Sequence, residues 1–309
     1  MPTLFLTPVF KQRIWGGSFF KEQINPDLDN EPYGEMWSLS AHKEGETLIA
    51  NGEFQGKTLN ELFLSHPELF NCGTKEFPLM VKLIETENDL SVQVHPNDEF
   101  AAMYEDQLGK TECWYFLDAL PNAKIVLGHN AKTKDEMAKA IEEGKCEDYL
   151  SYQSIKPKDF ALINSKTVHA LGKGLLLLEI QQSSDVTYRL YDYNRLGLDG
   201  KKRPLHVEKA LKVIDFPQKE WPMITNHNNE LPIEQLTNCP YFSVDLLKIN
   251  GEANCEKDEN QFLIITSANN DLSINDIKLP LGKSCIVTCG ERQIKIKGHG
   301  EVLITASNN

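Results

Sequence analysis

The chain has 309 residues, 40% hydrophobic and 25% charged, which is enough globular material for two domains or for one large core with an appendage. A net charge of −13 sets the bulk surface against nucleic acid and anionic membrane, so an anionic substrate needs a local basic pocket. No apolar run approaches membrane-spanning length, and "MPTLFLTPVFKQRIWGG" carries its basic residues after a short apolar segment, the reverse of a signal peptide.

Residues 1–55 read as short extended segments broken by Gly, Pro and Asn. Two capping boxes then announce helices. Thr58 and Glu61 open "LNELFLSHPELF", which Pro67 interrupts, and Thr133 and Glu136 open "KDEMAKAIEEGKCEDYL". In the latter, Met137, Ala140 and Ile141 form an apolar stripe of the kind that packs into a core. Residues 78–95 and 111–128 alternate as strands. From 159 to 193 the pattern is strand and turn ("DFALINS", "GLLLLEIQQ", "VTYRLYDYN"), and "RPLHVEKALKVID" at 203–215 makes a short helix. Prolines and asparagines at 216–233 suggest a linker. Short strands with frequent turn signals follow: "YFSVDLLKI", "QFLIITS", "DLSIND", "SCIVTC", "QIKIKG" and "EVLITAS".

The expected class is mainly β with helical insertions at about 58–70 and 133–150. Strands and helices do not alternate regularly, which argues against a doubly wound sheet. The expected domains are 1–230, and a smaller β unit at 231–309 that carries no metal-ligand cluster. The seven cysteines show no C-x-x-C spacing, which argues for reduced thiols in a cytoplasmic protein, and Cys285 and Cys289 read as buried, inert thiols.

Four segments carry residues suited to a divalent metal. In "SVQVHPND" alternation places Ser91, Gln93 and His95 on one face, with Val92 and Val94 on the other, and Pro96 ends the strand. In "GKTECWYFLDA" Glu112 shares parity with Trp114 and Phe116, and a carboxylate on an apolar face must be paired or metal-bound. His169 stands before a Gly-bounded turn in "TVHALGKG". "EIQQSSDVTYRLYDYNR" follows a strongly apolar strand with polar residues. Imidazole and carboxylate suit zinc, but separations of 17 residues from His95 to Glu112 and 57 to His169 match no local finger. Such ligands converge only where several strands wall one cavity, as in a small barrel. Read alone, Glu112 is equally an ion-paired carboxylate and His169 a satisfied histidine.

In this order the four segments resemble the type I phosphomannose isomerases (mannose-6-phosphate isomerases) of the short bacterial kind. Upstream "RIWGG" and "GEMWSLSAH" resemble segments of the same family, and the likeness runs from about residue 4 to 300. The resemblance implies a cupin (jelly-roll) barrel, one zinc per chain, and interconversion of the sugar phosphates mannose 6-phosphate and fructose 6-phosphate. It carries metal-ligand roles onto Gln93, His95, Glu112 and His169, and places the family's catalytic arginine at Arg189. Lys110 matches a family lysine that contacts substrate oxygens or phosphate. Asp185 and Glu179 are the carboxylates best placed for proton transfer or for orienting Arg189, with Asp185 taken as the catalytic candidate. Lys82, an isolated charge in "LMVKLIE", is a further pocket candidate or a snorkelling side chain. The competing readings are a metal cupin of other chemistry, such as iron-dependent oxygen activation, and a non-catalytic sugar-binding cupin.

Overall fold

The computed structural model describes residues 3–219, 223–227 and 231–308. The chain groups into two compact units, one of Met1–Phe10, Met36–Leu83 and Asn228–Asn309, the other of Lys11–Glu35 and Ile84–His227. This grouping differs from a cut at residue 230, because the first unit draws on both ends of the chain. Its strand Leu4–Thr7 pairs antiparallel with Ser284–Val287, Leu4 opposite Ile286, and also with Leu48–Ile49. The helix Leu59–Ser65 belongs to this unit too. Pairing between the two ends of a chain leaves no local trace in sequence, whereas a Pro-rich stretch does.

The second unit is a mainly β sandwich curled around one core, the cupin arrangement. One sheet has the order Tyr188–Tyr191, Val92–Val94, His169–Leu171, Lys124–His129, Leu150–Ser154. Another sets Ile224–Asn226, Asp159–Ile163, Glu112–Ala119 and Leu175–Gln182 side by side. Trp114, Phe116, Ile163 and Leu177 from the latter pack with Ile125, Leu127 and Leu171 from the former. Each such aliphatic or aromatic side chain contributes on the order of 1.5–3 kcal/mol by leaving water. The opposite face of the five-stranded sheet presents Val92, Val94, Val126, Ala170 and Leu190. It is covered by Met137 of the helix Lys134–Glu142 and by Ala210 and Leu211 of the helix Val207–Val213. The alternation of Val92 and Val94 against Gln93 and His95 therefore divides helix-facing from interior positions.

The helices are shorter than their sequence patterns. The first capping box closes fully: Glu61 N–H donates to Thr58 Oγ1 at 3.1 Å, and Thr58 N–H to Glu61 Oε2 at 2.9 Å. The second closes on one side only, because the Glu136 carboxylate takes the Lys132 N–H at 2.6 Å. Part of the expected linker is a strand, Ile224–Asn226, paired with Asp159–Ala161, while residues 220–222 and 228–230 of it lie outside the described residues.

In the first unit the expected strands "QIKIKG" and "EVLITAS" are one, Gln293–Ser307, paired along its length with Phe242–Glu256. Gly298, at φ +123°, lets the strand pass where a Cβ would lie 1.7 Å from the Asp271 carbonyl oxygen. Its core includes Leu247, Ile265, Ile274, Cys285 and Ile296. All seven cysteines are free thiols. Among the described residues no helix is long and apolar enough to cross a membrane.

Candidate active site

A row of directly opposed residues crosses the five-stranded sheet. Arg189 is opposite Gln93, and Gln93 is opposite His169. Opposed residues project to the same face, so all three point toward the interior. The strand His169–Leu171, read from sequence only as the approach to a turn, supplies the middle of the site. His95 follows Gln93 on the same parity. Glu112 opens its strand in the other sheet, held by ladder pairs with Ile163 on one side and Gln181 on the other. The Lys110 N–H donates to the Pro96 carbonyl at 3.0 Å, which ties the approach to Glu112 to the residue after His95.

His95, Glu112 and His169 thereby converge, all buried, with one donor atom from each within 4.8 Å of the others. His95 Nδ1 donates to the Val186 carbonyl at 2.8 Å, and His169 Nδ1 to the Thr167 carbonyl at 2.9 Å. With Nδ1 engaged by a carbonyl, each ring turns its Nε2 inward. Burial pushes the His169 imidazole down to about 4, with the Lys110 ammonium pressing the same way, so that ring is neutral near pH 7. The two Nε2 atoms stand 3.1 Å apart, and lie 3.4 and 3.5 Å from the nearer Glu112 oxygens. Donors around a tetrahedral zinc are separated by about 3.3 Å, given Zn–N near 2.05 Å. The donor set fits that ion in chemistry and in spacing. Gln93 places its amide nitrogen 3.3 Å from His169 Nε2, and a half turn of the amide presents its oxygen there instead.

Lys110 Nζ lies 2.8 Å from Glu112 Oε2 and 3.3 Å from His95 Nε2, fully inside the protein. Burial by itself would lower the pKa of its ammonium. The carboxylates of Glu112 and Glu179 outweigh that and hold it above the usual lysine value. Glu179 is also buried, and its Oε2 accepts from Trp114 Nε1 at 2.9 Å. The indole of Trp114 meets the His169 ring edge-on, with centroids 5.6 Å apart. Asp185 is exposed, and its charge reaches both Lys110 and Arg13. Of the two carboxylates left open by the sequence, Glu179 is the interior one and Asp185 the one in water.

Arg189 is half-buried, with Nε donating to Ser91 Oγ at 3.3 Å and Nη1 to the Pro204 carbonyl at 2.8 Å. Burial, then the charge of Arg203, lowers its pKa from the ordinary arginine value, and Asp192 opposes the shift. Asp192 joins Arg195 and Arg203, with Oδ1 at 2.9 and 2.6 Å from their Nη2 atoms. Lys82 belongs to the other unit, where its ammonium lies 5.3 Å from the Trp37 ring centroid. Sequence reasoning missed the carbonyls of Val186 and Thr167, which orient the histidines. It also passed over Trp114 as a partner of Glu179. Any residue offers a carbonyl, so the first two have no sequence signal. The Trp114–Glu179 register was legible only once the strands were paired.

Residues 4–143 match the family described as phosphomannose isomerase type I, catalytic domain. Over 310 aligned residues, covering 98% of both chains, the protein is 39% identical to mannose-6-phosphate isomerase ManA of Bacillus subtilis. It is 35% identical to the mannose-6-phosphate isomerase of Streptococcus mutans, covering 99% of this chain and 98% of that one. The crystal structure of the Bacillus subtilis mannose 6-phosphate isomerase superposes with a TM-score of 0.90, covering 99% of each chain at 39% identity. Near-complete coverage at that identity, with a His–Glu–His site set in a cupin barrel, establishes that the chain belongs to the type I phosphomannose isomerases, the enzymes also called mannose-6-phosphate isomerases.

Proposed function

We propose that the chain interconverts mannose 6-phosphate and fructose 6-phosphate by cis-enediol proton transfer, at a zinc held by His95, Glu112 and His169 with Gln93 as fourth ligand. The observation that carries the reading is the pair of buried imidazoles whose Nε2 atoms face each other at 3.1 Å beside a buried carboxylate. Zinc, when bound, supplies Lewis acidity that polarises the oxygens on C1 and C2 of the open-chain sugar.

The chain's own groups do the rest. Lys110 stays protonated because two carboxylates hold its pKa up, so it donates hydrogen bonds to a sugar oxygen that gains negative charge. Arg189 is a fixed cation with a planar fork and acts on the same developing charge, not as a base. Its setting beside Arg203 and Arg195 supplies the local positive field that a sugar phosphate needs against a net charge of −13. Asp185, in water and within electrostatic range of Lys110, is the carboxylate that exchanges the transferred proton. Glu179, bonded to Trp114, keeps Lys110 charged.

The test is an assay of fructose 6-phosphate formation from mannose 6-phosphate, with the metal content measured on the same preparation. About one zinc per chain, activity lost on chelation and activity restored by zinc are expected. Full activity in a metal-free preparation would overturn the zinc, and no product from zinc-loaded protein would overturn the reaction.

A further inference from the structure

Thr111 stands between the ammonium of Lys110 and the carboxylate of Glu112. Glu112 is fixed by ladders on both sides, but the ladder with Leu175–Gln182 ends at the pair Gln181–Glu112. One step beyond, the Gln182 N–H still donates to the Thr111 carbonyl at 3.1 Å. The backbone does not make the reciprocal bond. The Gln182 carbonyl is turned away, accepting from Gln181 Nε2 at 2.9 Å and from the Ser184 N–H at 2.7 Å.

The side chain of Gln182 takes the place of that carbonyl. Its Oε1 accepts the Thr111 N–H at 2.9 Å, and its Nε2 donates to Asp98 Oδ1 at 2.9 Å. The same Asp98 oxygen accepts the Gly109 N–H at 2.8 Å. The amide orientation follows from its partners, since a backbone N–H only donates and an ionised carboxylate only accepts. Gln182 is 3% exposed, so no water stands ready to replace these bonds. One side chain therefore grips the backbone on both sides of Lys110, at Thr111 directly and at Gly109 through Asp98.

We propose that Gln182 is a positioning residue, which holds Lys110 in the pose that meets the reacting sugar oxygen. The inference rests on the role given to Lys110 above. It separates Lys110 from the metal, because His95 and His169 are oriented by the Val186 and Thr167 carbonyls and Glu112 by its ladders. Displacing a charged group by about 1 Å costs on the order of 10²-fold in rate, while the two imidazoles and Glu112 keep the separate supports just named.

Three variants of the full chain test it. Gln182→Met keeps the shape and removes both hydrogen bonds. Gln182→Glu keeps the acceptor but turns a carboxylate toward Asp98. Gln182→Glu combined with Asp98→Asn restores one donor and one acceptor. The single variants are expected to retain zinc, to keep KM within about threefold and to lose kcat by roughly 10- to 100-fold. Their Lys110 is expected to react faster with an amine-reactive ester, read by peptide mass mapping. The double variant is expected to recover most of the kcat lost by Gln182→Glu. A zinc-loaded Gln182→Met with kcat within twofold of the parent overturns the proposal, as does turnover that falls only in proportion to lost zinc. Where Gln182→Met does not fold, the exchange pair decides: recovery supports the role and no recovery rejects it. A parent protein inactive on mannose 6-phosphate would refute the proposed reaction instead, and Lys110 labelling alone would then judge Gln182.

Discussion

Gly17 has no side chain because two carboxylates occupy the space. A Cβ there would lie 2.4 Å from Glu87 Oε2 and 3.2 Å from Glu85 Oε2. Burial, and then the charge of Glu87, pushes the Glu85 carboxyl up to about 7, against a bond from the Gly17 backbone that pulls it down. The folded chain thus binds this proton more tightly than the unfolded chain, whose glutamate titrates near 4.5. The stabilisation is complete below the unfolded value and is lost as the pH rises to about 7. Glu85→Gln removes the titration and keeps the shape. At pH 8 the variant is expected to exceed the parent by roughly 1 kcal/mol, a figure discounted for solvent screening of a half-buried group. The gap should shrink at pH 5. Thermal unfolding at the two pH values checks this, and a gap independent of pH would reject it. At the same scale, the orientation of the histidine rings follows from two carbonyl acceptors, Thr167 two residues before His169 and Val186 91 residues beyond His95.

Elements were legible where the signal is local. The box at Thr58 and Glu61 specifies where its helix starts, because both partners lie within four residues of each other. Thr58→Ala is expected to cost about 1 kcal/mol, read as a drop of roughly 2 °C in the unfolding midpoint. An unchanged midpoint would mean that tertiary packing alone holds the helix start. The strand Phe242–Glu256 and its 15-residue partner show where local reading fails. Gly298 looks like a turn in sequence and is instead a close approach, a distinction made by the Asp271 backbone. His169 was read as a turn approach for a similar reason: its strand is three residues long and exists only through its neighbours, Gln93 and Leu127.

For the whole molecule the important fact is that one unit is closed by both ends of the chain. Leu4 and Phe5 find their partners in Ile286 and Cys285, and both are in or against that unit's buried interior. A chain cut after residue 230 leaves the strand Leu4–Thr7 paired only with Leu48–Ile49, its other side an open apolar edge where Ser284–Val287 would lie. The fragment 1–230 is expected to be poorly soluble and the fragment 231–309 to lack a cooperative melt, both checked by expression and circular dichroism. A soluble, cooperatively melting 1–230 would show that the two ends contribute little to stability.

Taken by itself, the sequence determined which face of each strand turns inward. Gln93 and His95 oppose Val92 and Val94, and Glu112 shares parity with Trp114 and Phe116, because side-chain direction along a strand depends only on position. It also carried the four ordered segments by which the family is recognised. Only the tertiary structure decided that residues 17 and 57 positions apart meet within 4.8 Å, that Glu179 is inside and Asp185 in water, and that Gln182 completes a broken ladder. The reason is physical: strand pairing across long loops sets these distances and brings the carboxylates to Lys110, and the partners that orient the histidines are backbone carbonyls, which every residue possesses.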